Sequence, residues 1–174
     1  MILQSNADFL RTIPTLDVEV RLISLEEGEE LRRRVLRPGE KNWRISFCPA
    51  SDFFHMGAFH ASQLVSVASF LVESSDNAFI GQGESWRLRG MATSPEMQSR
   101  GVGGRVLGQG LAEVEKRNGA LVWCHGRLSA ARFYQNHGFE SVGDVFEIPG
   151  TGLHALYIRK LGLRRSGDEF HCNS

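Results

Sequence analysis

One stretch of the chain decides its fold: residues 91–104 read Met91-Ala-Thr-Ser-Pro-Glu-Met-Gln-Ser-Arg-Gly-Val-Gly-Gly104. Before and into this stretch, apolar and basic side chains alternate from Trp86, which predicts a β-strand over residues 86–93. After it, apolar residues recur at helical spacing, which predicts a long helix over residues 102–118. The quoted residues are therefore a glycine-rich turn that leads from a strand into the start of a helix.

Such a turn is suited to binding an anion. The first N–H groups of a helix lack helical acceptors, and the helix dipole is positive at that end. A glycine inside a helix costs about 1 kcal/mol relative to alanine, so the glycines here need a reason. We attribute Gly101, Gly103 and Gly104 to contact with a pyrophosphate, because a missing Cβ lets phosphate oxygens approach the backbone. We attribute Gly108 and Gly110 to close packing of the helix on a sheet.

Two common phosphate-binding motifs do not match this turn. A Walker loop needs Gly-Lys-Ser/Thr, which is absent, and a dinucleotide fingerprint needs a third glycine where Val106 stands. The remaining pattern, Gln98-Ser-Arg-Gly-Val-Gly103, resembles the Gln/Arg-x-x-Gly-x-Gly/Ala pyrophosphate loop of the GNAT acetyltransferase superfamily.

A second segment supports this resemblance. Residues 129–139 read Ser129-Ala-Ala-Arg-Phe-Tyr-Gln-Asn-His-Gly-Phe139, similar to the GNAT signature in which a helix of small residues ends in Phe-Tyr and then Gly-Phe. Both segments occur in the family's order and spacing. The resemblance covers roughly residues 87–161, while the front half, with Arg34-Val-Leu-Arg-Pro-Gly39, is similar to a group of uncharacterised GNAT acetyltransferases of small molecules or amines.

The other patterns predict a mixed α+β fold. A first strand is predicted to end near Ser24, which would then cap a helix stopped by Pro38-Gly39. Ser129 is predicted to cap a short helix that ends before Gly138. Further strands are predicted over residues 54–61, 64–73, 120–124, 139–148 and 153–161. The class is α+β, with a mostly antiparallel mixed sheet of six to seven strands and flanking helices, and the resemblance implies a splayed, V-shaped cofactor cleft at its centre.

Composition limits the function classes. At 174 residues, one domain is expected, and we interpret residues 1–16 as an N-terminal extension, 17–162 as the acetyltransferase domain and 163–174 as a flexible C-terminal tail. Twenty basic and twenty acidic residues give no overall field that would attract nucleic acid or an anionic membrane.

Cysteine usage and hydropathy complete these expectations. Three widely spaced cysteines without a Cys-x-x-Cys pair argue against a disulfide framework and a zinc site. The first twenty residues lack the order of a signal peptide, and the longest apolar run is far shorter than the ~20 residues of a membrane helix. We therefore expect a cytoplasmic protein that binds no metal, nucleic acid or membrane. A homodimer is an open option for its assembly.

The resemblance implies acetyl-CoA as the acyl donor and a set of residues that bind it. In the family, the strand before the loop pairs its backbone with the pantetheine arm, and the loop amides hold the pyrophosphate. Arg100 and Arg105 either add charge-assisted contacts there or lie in solvent. The implied cofactor-binding residues are Met91, Ala92, Thr93, Gln98, Ser99, Arg100, Gly101, Val102, Gly103, Gly104, Ser129 and Phe133.

The implied reaction is the direct transfer of an acetyl group to a primary amine of a small molecule, amino acid or peptide. A lysine-like amine of pKa ~10.4 must first lose a proton, at a cost of roughly 4.6 kcal/mol at pH 7. Tyr134 matches the family position of the acid that protonates the departing thiolate. One alternative is a non-catalytic acyl-CoA sensor. Others are the transfer of a longer acyl group or transfer to a hydroxyl acceptor, because the loop contacts only the pyrophosphate and not the acyl group.

The base and the acceptor site are less defined. Val122 stands where some family members carry a glutamate, so His125, Glu147, His154 or a water relay is left to accept the proton. Arg127 stands where many members have an asparagine that contacts the cofactor. A carboxylate on the acceptor could be bound by a group of five arginines: Arg32, Arg34, Arg37, Arg87 and Arg89. The arginines of this group that lie on the first helix could instead form ion pairs with residues 26–30.

Overall fold

The computed structural model describes residues 16–41, 52–73, 77–80 and 85–162, and these form a seven-stranded sheet flanked by three α-helices. The predicted C-terminal tail and all but one residue of the predicted N-terminal extension lie outside them. The strands are β1 (Glu19–Ile23), β2 (Phe53–His60), β3 (Gln63–Val72), β4 (Trp86–Thr93), β5 (Leu121–Arg127), β6 (Glu140–Ile148) and β7 (Gly152–Lys160). The helices are α1 (Glu29–Leu36), α2 (Val102–Lys116) and α3 (Ala131–Asn136).

The sheet has the order β1-β2-β3-β4-β5-β7-β6, and its one parallel pair is β4 with β5. That pair is bonded at only two positions, Trp86 with Val122 and Arg87 with Trp123. Beyond these two positions, no residue of β4 pairs with a residue of β5. The prediction of a mostly antiparallel mixed sheet with a splayed centre is thus confirmed.

A bulge interrupts β4 on its other edge. In the ladder with β3, Ser69 faces Arg89 and Val67 faces Ala92, so two residues, Gly90 and Met91, stand opposite Ala68 alone. Gly90 has a φ of +58°, in the left-handed region that glycine adopts without steric cost. The bulge and the splayed edge lie on opposite sides of the same strand.

Helix α1 packs on one face of the sheet, and one of its arginines bonds to the strands beneath it. The Arg32 side chain is fully buried and donates hydrogen bonds to the Gly90 carbonyl (3.2 Å), the Ser69 hydroxyl (2.6 Å) and the Leu25 carbonyl (3.5 Å). Burial lowers the pKa of Arg32 to about 10, so the guanidinium is still charged at pH 7. The interpretation of Arg32 as part of a solvated or ligand-binding surface is therefore wrong, because its donors are used inside the protein.

The predicted cap of α1 is also shifted. The Ser24 hydroxyl accepts the Glu27 N–H (3.2 Å), and the Glu27 carboxylate accepts the Ser24 N–H (2.8 Å). This reciprocal pair stabilises a turn, while the helix itself begins at Glu29 with Gly28 at its N-cap. Ser24 thus caps the turn that leads into α1.

On the opposite face, α2 packs its buried side chains onto the sheet. A Cβ on Gly110 would collide with the Phe70 ring, which confirms the close packing predicted for that residue. Gly108 is exposed, and a Cβ there would meet no atom within 4 Å, so the same prediction is wrong for Gly108. It lies on the solvent side of the helix.

The prediction that Ser129 caps α3 is wrong as well. The helix begins at Ala131, its N-cap is Ala130, and no side chain bonds the cap. Strand β5 continues three residues beyond its predicted end, and the chain then makes a 3-10 turn over Leu128–Ala130. The Ala131 N–H bonds the Leu128 carbonyl, so the backbone supplies the acceptor that Ser129 was expected to provide.

The two α2 glycines give a matched test of packing. Gly108→Ala should stabilise the protein by about 0.5–1 kcal/mol, because alanine has the higher helix propensity and the site has open space. Gly110→Ala should destabilise it by about 1–3 kcal/mol through overpacking against Phe70. Urea unfolding of both variants measures the difference. If Gly108→Ala destabilises the protein, a Cβ is not tolerated at position 108, and the inference that Gly108 has no packing role is wrong.

Candidate functional site

The gap between β4 and β5 opens into two cavities that share no lining residue. The loop cavity, of about 410 Å³, lies where the chain leaves β4 and enters α2. The arginine cavity, of about 350 Å³, lies between β4, β5, the end of α1 and the β6–β7 hairpin. Both volumes are within the range of small-molecule sites.

The loop cavity is formed by backbone of unusual conformation. Ser99 and Gly101 have φ values of +59° and +78°, and Gln98 donates its side-chain N–H to the Thr93 carbonyl (3.1 Å). The first helical hydrogen bond of α2 runs from the Arg105 N–H to the Gly101 carbonyl (3.1 Å). The N–H groups of the preceding first turn therefore have no helical acceptor.

The two glycines that follow are packed against side chains of the loop cavity and against Met91, which lines the arginine cavity. A Cβ on Gly103 would lie 3.0 Å from the Thr93 hydroxyl and 3.3 Å from the Met91 methyl carbon. A Cβ on Gly104 would lie 2.5 Å from Nε2 of His137. Side chains at these positions would both narrow the cavity and displace its walls.

The structure brings most of the predicted cofactor residues together. The loop cavity is lined by Thr93, Gln98, Ser99, Gly101, Val102, Gly103, Gly104 and Phe133. Arg105, which the sequence left open as a pyrophosphate contact, also lines it, together with Met97 and His137, which sequence reasoning did not select. His137 follows the Phe-Tyr signature at helical spacing, a signal that could have identified it. Arg105 is exposed, and its guanidinium bonds the carbonyls of Leu16 (3.0 Å) and Val18 (2.9 Å).

Four other predicted residues lie elsewhere. Met91 lines the arginine cavity. The Ala92 side chain is buried in a cluster with Leu31, on the α1 side of the sheet. Arg100 and Ser129 are exposed, and neither lines a cavity in the described part of the chain.

Tyr134 reaches the arginine cavity from α3. Its side chain is 7% exposed, stacks on Tyr157 at 4.9 Å between ring centroids, and meets Phe139 edge-on at 5.7 Å. Burial raises the pKa of the Tyr134 phenol well above its usual value of 10, and the neighbouring Cys124 thiol adds to this effect. Burial also raises the pKa of Cys124 to about 12. Both groups therefore keep their protons at neutral pH.

The arginine cavity is lined by basic side chains. It brings together Arg37, Arg87, Arg89, Arg127, His125 and His154, and none of the described residues that line it is Asp or Glu. Of the five arginines predicted to act together, three meet here, whereas Arg32 is buried beneath and Arg34 is not in the lining. Glu147 is exposed on β6 and lies outside the lining.

Two of these arginines are held by specific contacts. Arg87 pairs with Glu73, and its guanidinium lies 4.6 Å from the centroid of the Trp123 ring. Arg127 donates to the Leu36 carbonyl (3.2 Å), which links the end of β5 to the end of α1. Arg127 thus lines the arginine cavity and not the loop cavity.

The two histidines of the cavity differ in environment. Nδ1 of His154 lies 2.8 Å from the Gly152 carbonyl and must carry the proton, so Nε2 of the neutral ring is an acceptor. His125 meets Trp123 and Phe146 edge-on. Although part of the His125 ring is open to solvent, burial lowers its pKa, and the charge of Arg87 lowers it further. His125 is therefore uncharged at pH 7.

Among the described residues, no group of three or more His, Cys, Asp or Glu side chains is arranged to hold a metal ion. No helix within the same residues is both long enough and apolar enough to cross a membrane.

Comparison with known proteins gives the family. Residues 55–141 match the model of the acetyltransferase (GNAT) domain. Over 150 residues the chain is 30% identical to YitI of Bacillus subtilis (strain 168), an uncharacterised N-acetyltransferase, and this alignment covers 85% of the chain and 99% of YitI.

Solved structures share the fold at lower identity. ElaA of Escherichia coli has a TM-score of 0.62 and 20% identity, covering 82% of this chain and 99% of its own. A structure from Lactobacillus plantarum, described as that of an N-acetyltransferase by assignment, has a TM-score of 0.63 and 14% identity. The match covers 83% of this chain and 98% of the Lactobacillus chain. With the family model matching half of the chain and YitI aligning along nearly its whole length, this chain belongs to the GNAT acetyltransferase family and is an acyltransferase.

Proposed function

We propose that this enzyme transfers an acetyl group from acetyl-CoA directly to a primary amine. The observation that carries the proposal is the gap between β4 and β5, which has the glycine-rich loop at one cavity and the protonated Tyr134 at the other. The donor would lie in the gap with its diphosphate at the loop. The amine would enter from the arginine cavity.

The loop cavity suits a diphosphate. The first turn of α2 offers N–H groups without helical acceptors, and Gly101, whose Cβ position is open, presents no side chain to an approaching phosphate. We assign the diphosphate to the loop residues 98–104, with Phe133 and His137 in the opposite wall. Arg100 and Ser129, which are exposed, would contact the donor only at the rim.

The edge of β4 suits the amide-bearing arm of the donor. Beyond Arg87, no described strand pairs with β4 on its β5 side, so its backbone groups on that edge can bond a ligand as an added strand would. Met91, Ala92 and Thr93 form this edge. Its side chains need not point at the donor, which is why the buried Ala92 side chain does not conflict with a backbone role.

Proton transfer completes the reaction. The amine nitrogen forms a bond to the acetyl carbon, the carbon–sulfur bond breaks, the nitrogen gives up one proton and the departing thiolate takes one. Tyr134 keeps its proton at neutral pH and can donate it to the thiolate. We assign the base to His125, which is uncharged at pH 7 and open to solvent, so it can pass the proton onward.

We also propose a cytoplasmic location, which is supported by Cys124, a free and buried thiol. Assembly as a homodimer can be tested by light scattering.

Substitution of Gly101 tests the loop. Gly101→Ala forces alanine into a φ of +78° and should weaken CoA binding at least about tenfold, measured by calorimetry. Gly39 has a φ of +92°, equally open surroundings and a place outside both cavities. Gly39→Ala should therefore cost similar stability but leave CoA affinity within about twofold. Equal affinities in the two variants would remove the loop from binding.

Substitution of Tyr134 tests the transfer. Wild-type protein should release free thiol from acetyl-CoA when primary amines are supplied, as detected with a thiol-reactive dye. Tyr134→Phe should lower kcat roughly 10²-fold with little change in CoA affinity, because the ring remains and only the proton is lost. The matched control is Tyr157→Phe, the only other tyrosine in the chain.

Two results would contradict this assignment. CoA binding without thiol release for any amine would favour an acyl-CoA sensor. An unchanged kcat in Tyr134→Phe would exclude Tyr134 as the acid.

The pH profile tests the base. If neutral His125 accepts the proton, activity should be present above its lowered pKa and fall as the pH drops through that value, below about 6.5. The groups that act on this titration are Arg87, Arg89, His154 and Glu73. His125→Gln should lower kcat by roughly 10²-fold and remove the acidic limb. If His154→Gln removes the limb and His125→Gln does not, the base is His154.

A further inference from the structure

The charge of the arginine cavity is not explained by an amine acceptor alone. Four arginines and two histidines line it, and no described residue of the lining is acidic. A free primary amine arrives mostly as an ammonium ion at pH 7, and this lining repels it. The diphosphate of the donor does not account for the charge either, because the loop cavity has a separate lining. An anionic group on the acceptor would complement this lining.

The arginines differ in how far their charge is already balanced. Arg87 pairs with Glu73, and Arg37 lies 3.8 Å from the Glu40 carboxylate. Arg127 is different, since its bond within the described chain goes to the neutral Leu36 carbonyl, and no described carboxylate lies within 4 Å of it. A guanidinium that is bonded in this way still has an edge from which two parallel N–H groups can be donated to a carboxylate. Arg127 is thus the best candidate for an anion contact.

The neighbours of Arg127 do not provide a counter-ion. Across the sheet its partner in the register is His154, whose Nδ1–H is already donated to the Gly152 carbonyl. Beneath α1 lies Arg32, a second positive charge, which is held by two carbonyls and a hydroxyl. The neutral His154 therefore brings no negative charge to Arg127, and Arg32 adds a buried positive charge on the α1 side of the sheet.

We propose that the acceptor is a small amine that also carries a carboxylate, of the size of an amino acid or dipeptide, and that Arg127 binds this carboxylate. The inference rests on the proposed function, whose acceptor it specifies. The volume of about 350 Å³ is at the lower end of small-molecule sites, which favours a compact acceptor.

The same lining would assist the reaction at the other end of the acceptor. Positive charges near an ammonium group lower its pKa, so the neutral, nucleophilic amine becomes more populated. His125 reports this field, because the charges of Arg87 and Arg89 contribute to its lowered pKa after the effect of burial. One cavity thereby attracts the carboxylate and favours loss of the amine proton.

Paired acceptors test the proposal. Alanyl-alanine and its C-terminal amide have similar amines but differ in the carboxylate, as do 6-aminohexanoate and hexylamine. Thiol release should give a kcat/KM at least about tenfold higher for the carboxylate member of a pair, as a charge-assisted hydrogen bond provides. Arg127→Gln should bring this ratio close to one, and Arg127→Lys should restore part of it.

The control variant is Arg33→Gln. Arg33 pairs with Glu30 on α1 and lies outside the cavity, so its loss removes one positive charge without changing the ratio. A structural defect in Arg127→Gln would lower both members of a pair equally, whereas a lost carboxylate contact lowers only one. The wild-type comparison does not depend on how any variant folds.

Binding separates this proposal from the proposed function. With CoA present, calorimetry on wild-type protein should show tighter binding of alanyl-alanine than of its amide. Thiol release that is equal for both members would overturn the carboxylate site while the amine transfer stands. Preferential binding of the carboxylate member without thiol release would support the site and overturn the transfer.

Discussion

The short pairing between β4 and β5 is the constraint on which the site depends. Two bonded positions hold the strands together, and beyond Arg87 the facing edges separate. Backbone N–H and C=O groups inside a protein need partners, so an open edge at the centre of a sheet is stable where solvent or a ligand can meet it. The bulge at Gly90 lies just beyond the last paired position of β4, and Arg32 of α1 donates a hydrogen bond to the Gly90 carbonyl.

The contact of Arg32 has electrostatic consequences. The Ser69 hydroxyl accepts from Arg32, so its own proton can be donated to Nδ1 of His55 (2.8 Å). Burial and the charge of Arg32 lower the pKa of His55 to about 4, which keeps that ring neutral. This buried network therefore carries a single positive charge beneath α1.

Local signals predicted the elements well and their ends less well. The helical spacing of α2 and the glycine at its start are properties of consecutive residues, and both match the structure. Ser129 failed as a cap because β5 continues to Arg127 and the following 3-10 turn supplies a backbone acceptor instead. Gly108 failed as a packing residue because the side of the helix that meets Phe70 is determined by the sheet and not by the helix alone.

By itself, the sequence determined the family, the glycine-rich loop and the position of Tyr134, since each depends on neighbours within about a dozen residues. Only the tertiary structure decided which arginines are buried and which line a cavity. Arg32 meets Gly90, and Arg127 meets Leu36, because α1 packs across the point where β4 and β5 separate. Burial and hydrogen-bond partners, which set the charge of the site, arise from this packing and from no pattern along the chain.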